Sequence, residues 1–405
     1  MKKNIPWLVA MICSSLAFAQ PLSSNRIAFI TLNGELASIN PDGSDMQVLT
    51  DGQHRLQFPA WSPDGEKIAA IGADVEGGFI DIFQGSEVSE VYRSAIEPPF
   101  YLYWAPDSSK VSFLANRDGG LGMFFASLEN ESRLFTTGSP FYWQWTADSQ
   151  NLLLHIGFSG PGSRLSFSSA QHDDLNENLA PPGRFQAPGI SASEQYLAYA
   201  ELDSVRGGQL IIQNNLLQPT TALKREVPHQ GLIAFNWSPV EDKLAFISPA
   251  SEEGSYYGRL QLIDAESGEL EPLGQSIALA FFWSPDGRSI AYISLSEKEE
   301  EDVAGLAQVV LQPIQRSFFL DLHLIDMKTK TDTFLASFIP NPFFVRQFLP
   351  FFDQYALSHQ IWSPNSDALV LPIVDANVKP RIAIFGLDGT VTPIADGEMP
   401  FWNRR

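Results

Sequence analysis

The sequence predicts an all-β fold, an eight-bladed β-propeller with seven blades as the alternative count, and three observations lead there. A signature, FPAWSPDGEKIAAIG at Phe58 to Gly72, recurs along the chain. Most of its copies are spaced by about 41–47 residues, the length of a four-stranded blade. The two ends of the chain also read as complementary halves of one such unit.

Each copy is a hairpin. An apolar run ends in Trp61, Ser62-Pro63-Asp64-Gly65 turns the chain, and an apolar strand follows from Ile68 to Ile71. Pro presets φ, Asp bonds its own backbone and Gly accepts positive φ, so the two strands fold back on each other. From the Trp to the first strand residue seven positions later, the copies align without gaps. They read Trp104-Ala-Pro-Asp107 with Val111, Trp145-Thr-Ala-Asp148 with Leu152, and Ile190-Ser-Ala-Ser193 with Leu197. Trp237-Ser-Pro-Val240 with Leu244, Trp283-Ser-Pro-Asp286 with Ile290 and Trp362-Ser-Pro-Asn365 with Leu369 follow. Repeats of this kind cannot bury their faces alone, so they stack radially.

At the start, Arg26-Ile-Ala-Phe-Ile30 looks like a second strand whose first is missing. At the end, Met399-Pro-Phe-Trp402 looks like a first strand with nothing after it. Pairing them closes the ring and removes two exposed edges.

Ahead of the ring, Lys2 and Lys3, the apolar Ile5 to Leu16 and Ala17-Phe18-Ala19 read as a signal peptide over residues 1–19. Residues 20–25 form a tether and 26–405 a single propeller domain. The expected location is periplasmic or secreted, with no membrane span after signal removal. The one cysteine, Cys13, leaves with the signal, which excludes thiol nucleophiles and thiolate metal sites. A formal charge of −21 repels phosphate backbones, so no nucleic-acid partner is expected.

In order, Arg26 to Ile30, Glu35 to Ile39 and Gln47 to Thr50 are strands, with Asn40-Pro-Asp-Gly43 as a hairpin turn rather than a calcium loop. The inner strands before Trp104 and Trp145 are rich in aromatics, which suits the wedge between blades. Gly157-Phe-Ser-Gly-Pro-Gly162 approaches a nucleophile elbow, but Pro161 stands where that motif needs Gly, so it reads as a loop. The copy at Ile190 is the weakest, lacking both Trp and Asp.

The seventh repeat, which opens at Trp283, holds two insertions, at about 297–317 and 339–355, and both emerge on one face. The first begins with the acidic Ser296 to Asp302, a solvated loop by composition. The second gathers Phe343, Phe344, Arg346, Phe348, Phe351, Phe352 and Tyr355. Clustered aromatics with an arginine have the composition of a contact surface. Two fates stay open for it, a protein-binding face and a plug folded into the channel.

For chemistry, six histidines are scattered, and none forms a helical zinc motif. No phosphate loop, dinucleotide glycine pattern or serine triad is visible, so no cofactor and no metal are expected. Asp353 with His359 is the candidate acid–base pair of the channel. The turn aspartates Asp64, Asp107, Asp148 and Asp286 recur with the blades, which marks them as turn stabilisers.

The signature WSPDG-x-x-I-A-Y/F, closest in Trp61 to Ala69, Trp237 to Phe246 and Trp283 to Tyr292, resembles the propeller repeat of the TolB family over about Arg26 to Trp402. That resemblance implies an exported propeller that binds another envelope protein across one end of its ring. The chain lacks the α/β domain that precedes the propeller in TolB. The reading is thus a non-catalytic propeller, more a binder than an enzyme, taking a protein or peptide partner of the cell envelope on its loop face. The alternative is a channel-mouth lyase or hydrolase acting on polysaccharide or peptide.

Overall fold

The structure is a computed structural model that describes residues 24–129, 131–157, 162–171, 176–180, 183, 186–203, 207–214, 224–249, 258–296 and 319–405. The signal segment 1–19, the insertion at 297–317, His172 and most of the Gly157–Gly162 loop lie outside them.

The fold is all-β apart from one helical insertion, built from seven antiparallel sheets, none of which closes on itself into a barrel. Within each sheet strands that follow one another in the chain pair with one another, the C-terminal strand excepted, as the turn chemistry requires. In the hairpin Arg55–Trp61 to Ile68–Asp74, Trp61 faces Ile68, and Gly65 in its turn has φ +74°, a conformation that favours glycine. The Ser62 and Asp64 side chains cap that turn, the Asp64 carboxylate accepting from the Glu66 N–H at 3.0 Å. The turn at Asn40 is likewise a hairpin, closed by the Gly43 N–H to the Asn40 carbonyl at 2.9 Å.

Five sheets hold four strands each. The seven-stranded sheet spans Ala234 to Phe338 because one long strand, Leu270–Trp283, serves two units. Its first half pairs Leu270 to Leu273 with the strand Gly258–Asp264, and its second half pairs Ala278 to Trp283 with Ser289–Leu295. The three-stranded sheet Ala368–Asp396 is extended by an isolated bridge between Trp362 and Leu369.

The ends close as the sequence predicts. Glu398–Trp402 pairs antiparallel with Ile27–Ile30, Ala28 opposite Phe401 and Ile27 opposite Trp402. Arg26 locks the seam while 2% exposed, donating to Ser38, Asn40 and, at 2.7 Å, the Asp45 carboxylate. Such a charge-assisted set satisfies a buried guanidinium that would otherwise be costly.

The recurring tryptophans tie each unit to the one before it. The indole N–H of Trp104 donates to the Ala60 carbonyl, Trp283 to Asn236, Trp362 to Phe282 and Trp61 to Phe401. In every case the acceptor is the residue just before the preceding unit's Trp. Trp145 reaches Tyr103 through the Ser112 hydroxyl, which donates to the Tyr103 carbonyl. Trp237 breaks the series: its buried indole N–H has no acceptor among the described residues. It packs on Gly189 of the weakest copy, where a Cβ would stand 2.8 Å from the indole nitrogen. That glycine makes room for the ring.

Candidate functional site

The inner strand edges of a ring of sheets leave backbone groups facing the channel. The second insertion fills one end of that channel. Phe344–Phe348 forms a π-helical turn, Leu349–Phe351 a 3-10 turn and Phe352–Ser358 an α-helix. The helix touches the inner strands Pro99–Trp104, Phe141–Trp145, Ala234–Trp237 and Leu270–Trp283.

Its polar side chains answer the open edges. The Gln354 amide accepts from the Trp143 N–H at 2.9 Å and donates to the Trp143 carbonyl at 2.9 Å, acting as one rung of a missing strand. The Tyr101 hydroxyl donates to Ser358 at 2.7 Å, and Asp353 accepts from the Ala187 N–H at 3.1 Å.

Phe344, Phe348, Phe352 and Tyr355 are buried, Phe343 is partly buried, and only Arg346 and Phe351 of the expected anchors are exposed. Their partners belong to strands far apart in the chain. Phe348 lies 5.8 Å from both Phe282 and Phe401, Phe352 lies 5.3 Å from Phe281, and Tyr355 lies 5.2 Å from Tyr101. A bulge at Phe58, φ +52°, turns its ring onto Phe343 at 5.2 Å. Most of the loop's rings pack inward against the inner strands, as a plug would, while Arg346 and Phe351 stay outside. The reason is that aromatic surface on the loop and on the inner strands leaves water together.

The other end of the channel is an open cavity of about 590 Å³. Its mouth is formed by Pro106, Ala147, Ala192, Pro239 and Pro285, which all occupy the second position after the repeat's Trp or Ile. Trp145, Trp237, Trp283 and Trp362 wall it, and Ala356, Leu357, His359 and Gln360, from the end of the plug, form its floor. Its charged lining is Glu194 and Arg404. Glu194 accepts from the Ala147 N–H at 2.7 Å near the mouth. Arg404 donates to the Leu357 carbonyl at 2.6 Å, the last turn of the helix.

The Asp353–His359 pair does not form. Asp353 points at Ala187 and is absent from the cavity lining, whereas His359 bonds Ser358 at 2.7 Å and packs on Phe401 at 4.5 Å. Burial, then the nearby Arg404 charge, pushes the His359 pKa down to about 3, so the imidazole is neutral at physiological pH. Six positions along one short helix and its cap place the two side chains on different partners. His54 lies against Phe79 and His229 against Gly208, so neither joins them. Among the described residues no group of three His, Cys, Asp or Glu side chains could hold a metal ion.

Burial pushes the Asp353 carboxyl up to about 6 from 3.8. Its protonated form therefore stabilises the fold fully below pH 3.8, and that contribution is lost as pH rises through about 6. Asp353→Asn should lose less stability than wild type between about pH 5 and about pH 8, by roughly 1–2 kcal/mol in urea titrations. Parallel pH profiles for the two proteins would refute this.

One cluster escaped sequence reading, which saw no serine triad. The Ser294 hydroxyl lies 3.1 Å from His323 Nε2, and His323 Nδ1 lies 3.6 Å from the Asp332 carboxylate. The order of contacts is that of a hydrolase triad. Its setting is that of a clamp. Ser294 is 3% exposed, and the other Asp332 oxygen takes the Tyr292 hydroxyl at 2.6 Å and the Gln275 N–H at 2.8 Å. None of these residues lines the cavity. They bind together the strands Ser289–Leu295, Leu320–Asp326 and Asp332–Phe338 with the kink of the long strand.

No protein-family model and no curated protein matches this sequence. Solved structures match in fold. The dihydro-heme d1 dehydrogenase NirN shares 13% identity at a TM-score of 0.57, over 96% of this chain and 76% of that one. A eukaryotic initiation factor shares 10% identity at 0.55, over 94% and 99%. TolB from Acinetobacter baumannii shares 13% identity at 0.42, over 94% and 83%. The fold is propeller-like.

These likenesses show fold alone and single out no TolB role, yet they overturn one expectation. The chain was expected to be more a binder than an enzyme. The match at 0.57 is a dehydrogenase. This architecture houses catalysts, so it gives no ground for reading the chain as non-catalytic.

Among the described residues no helix is long and apolar enough to cross a membrane.

Proposed function

We propose that this chain is an exported, eight-bladed propeller whose cavity acts on a fragment of polysaccharide or peptide, as a lyase or hydrolase. The blade count follows from dividing the seven-stranded sheet at its long strand and completing the three-stranded one with the Trp362 bridge. The observation that carries the functional reading is the cavity itself. Its volume of about 590 Å³ suits a ligand of a few sugar or amino-acid units, and polar groups converge between aromatic walls. The helix floor makes it a blind pocket rather than a pore. Glu194 at the mouth is the carboxylate of the lining, and the neutral His359 on the floor can act there only as a base.

A protein or peptide partner of the envelope on the loop face is the second reading. Exposed Arg346 and Phe351 favour it.

The test is a turnover screen of oligosaccharides and peptides, reading new reducing ends, new double bonds and new amines. It uses wild type and the double variant Ala147→Trp/Ala192→Trp, which narrows the mouth at two exposed positions. Turnover by wild type and its loss in the blocked variant is the expected result. Turnover by neither removes the enzyme reading, and equal turnover by both moves it out of the cavity.

A further inference from the structure

We propose that Arg404 makes the cavity an anion site, selecting ligands that carry a carboxylate or phosphate on a flat apolar body. This rests on the cavity reading and deepens it by naming the ligand class.

Aligning the repeat by structure isolates this residue. The second position after the repeat's Trp or Ile is Pro63, Pro106, Ala147, Ala192, Pro239, Pro285 and Pro364 in the other copies. After Trp402 the same position holds Arg404. Seven copies place a small or cyclic apolar residue there, which the turn requires, and one places a long cation. Turn stability does not call for it.

The guanidinium is poorly provided for. It donates to the Leu357 carbonyl, a helix-capping contact, and meets no carboxylate among the described residues. The buried Arg26, by contrast, meets the Asp45 carboxylate at 2.7 Å and has a full set of further acceptors. A guanidinium offers several further N–H donors in one plane, and that fork matches a carboxylate or phosphate. Arg404 is partly exposed to the cavity, so a bound anion can reach its guanidinium and pair its charge.

The neighbours fit the same ligand. Arg404 is the cation of the cavity lining, beside Tyr103 and His359 and beneath tryptophan walls. The chain as a whole is strongly acidic, with a formal charge of −21, so a small anion finds its favourable potential in this cavity rather than over the surface. An anion on Arg404 would also cancel the charge that helps hold His359 neutral, coupling ligand binding to proton affinity on the floor.

The test titrates the full chain with benzoate, phenyl phosphate and the uncharged benzamide, reading tryptophan fluorescence and calorimetry. At least one anion is expected to bind saturably and at least tenfold more tightly than benzamide. The two anion arms distinguish a carboxylate site from a phosphate site. Arg404→Gln keeps a donor for Leu357 and should bring the anion's affinity down to that of benzamide, with Arg404→Lys in between.

Equal affinity for benzamide and both anions, or no binding by any of them at millimolar concentration, overturns the proposal. So does an Arg404→Gln variant that melts like wild type and binds the anion unchanged. Should Arg404→Gln fail to fold, the anion-dependent rise in wild-type melting temperature over benzamide decides the matter. The mouth-blocked variant separates the two readings. Binding it abolishes but Arg404→Gln spares leaves the cavity standing and removes the anion site, whereas anion binding it does not affect removes both.

Discussion

Deleting Glu398–Arg405 is expected to abolish cooperative unfolding of the whole chain. That strand supplies Met399, Phe401 and Trp402, all buried, and it pairs with the inner edge of the wholly buried strand Ile27–Ile30. Trp402 also anchors the seam by donating to Asn25 at 2.7 Å, and Asn403 donates to the Gly65 carbonyl of the next unit. Removing a buried large aromatic costs about 3–5 kcal/mol. Two of them, a methionine and a strand's hydrogen bonds together exceed the ~5–15 kcal/mol that holds an ordinary domain. A thermal melt followed by near-ultraviolet circular dichroism checks this. A sharp transition within a few degrees of wild type would show that the ring does not depend on its seam.

The second large effect lies at the plug. Phe348→Ala is expected to lower stability by about 3–5 kcal/mol, and Phe352→Ala by a similar amount. Phe348 is 1% exposed, and its ring meets Phe282, Phe344, Tyr355 and Phe401, which come from three separate stretches of chain. Truncating it leaves a void that the surrounding strands cannot collapse, because each is held by its own sheet. Phe351→Ala, at a residue 39% exposed, should change stability by no more than ~0.5 kcal/mol. Urea titrations of the three variants separate a plug from a docking surface. Equal and small effects for all three would mean that the loop is not packed as described.

A plug also bears on function. A channel closed at one end by a helix from its own chain presents one mouth, and the residues that matter to a ligand are those at the floor and the turn rim. His359, Gln360 and Arg404 reach the floor from the plug's end and from the last strand, while Glu194 stands near the mouth. The aromatic loop acts on the site by positioning that floor.

Much of this molecule was legible before any coordinates. The Trp-to-strand spacing, the turn residues Ser62 to Gly65 and the complementary ends at Arg26 and Trp402 determined hairpins, period and closure. All of these are set within a few residues of each other or by one repeated rule, and local backbone chemistry enforces them wherever they occur. Tertiary structure alone decided the rest. The fate of Phe348 and Tyr355 turned on rings contributed by Phe282, Phe401 and Tyr101, and the separation of Asp353 from His359 on which inner edge each met. The contact between Ser294, His323 and Asp332 needed three strands in register. Arg404 carried a signal in its repeat position, readable only once the last copy was aligned with the others. That it meets no carboxylate among the described residues is a property of the closed ring: a charge is paired or unpaired according to what surrounds it in space, and those surroundings come from segments up to the whole length of the chain away.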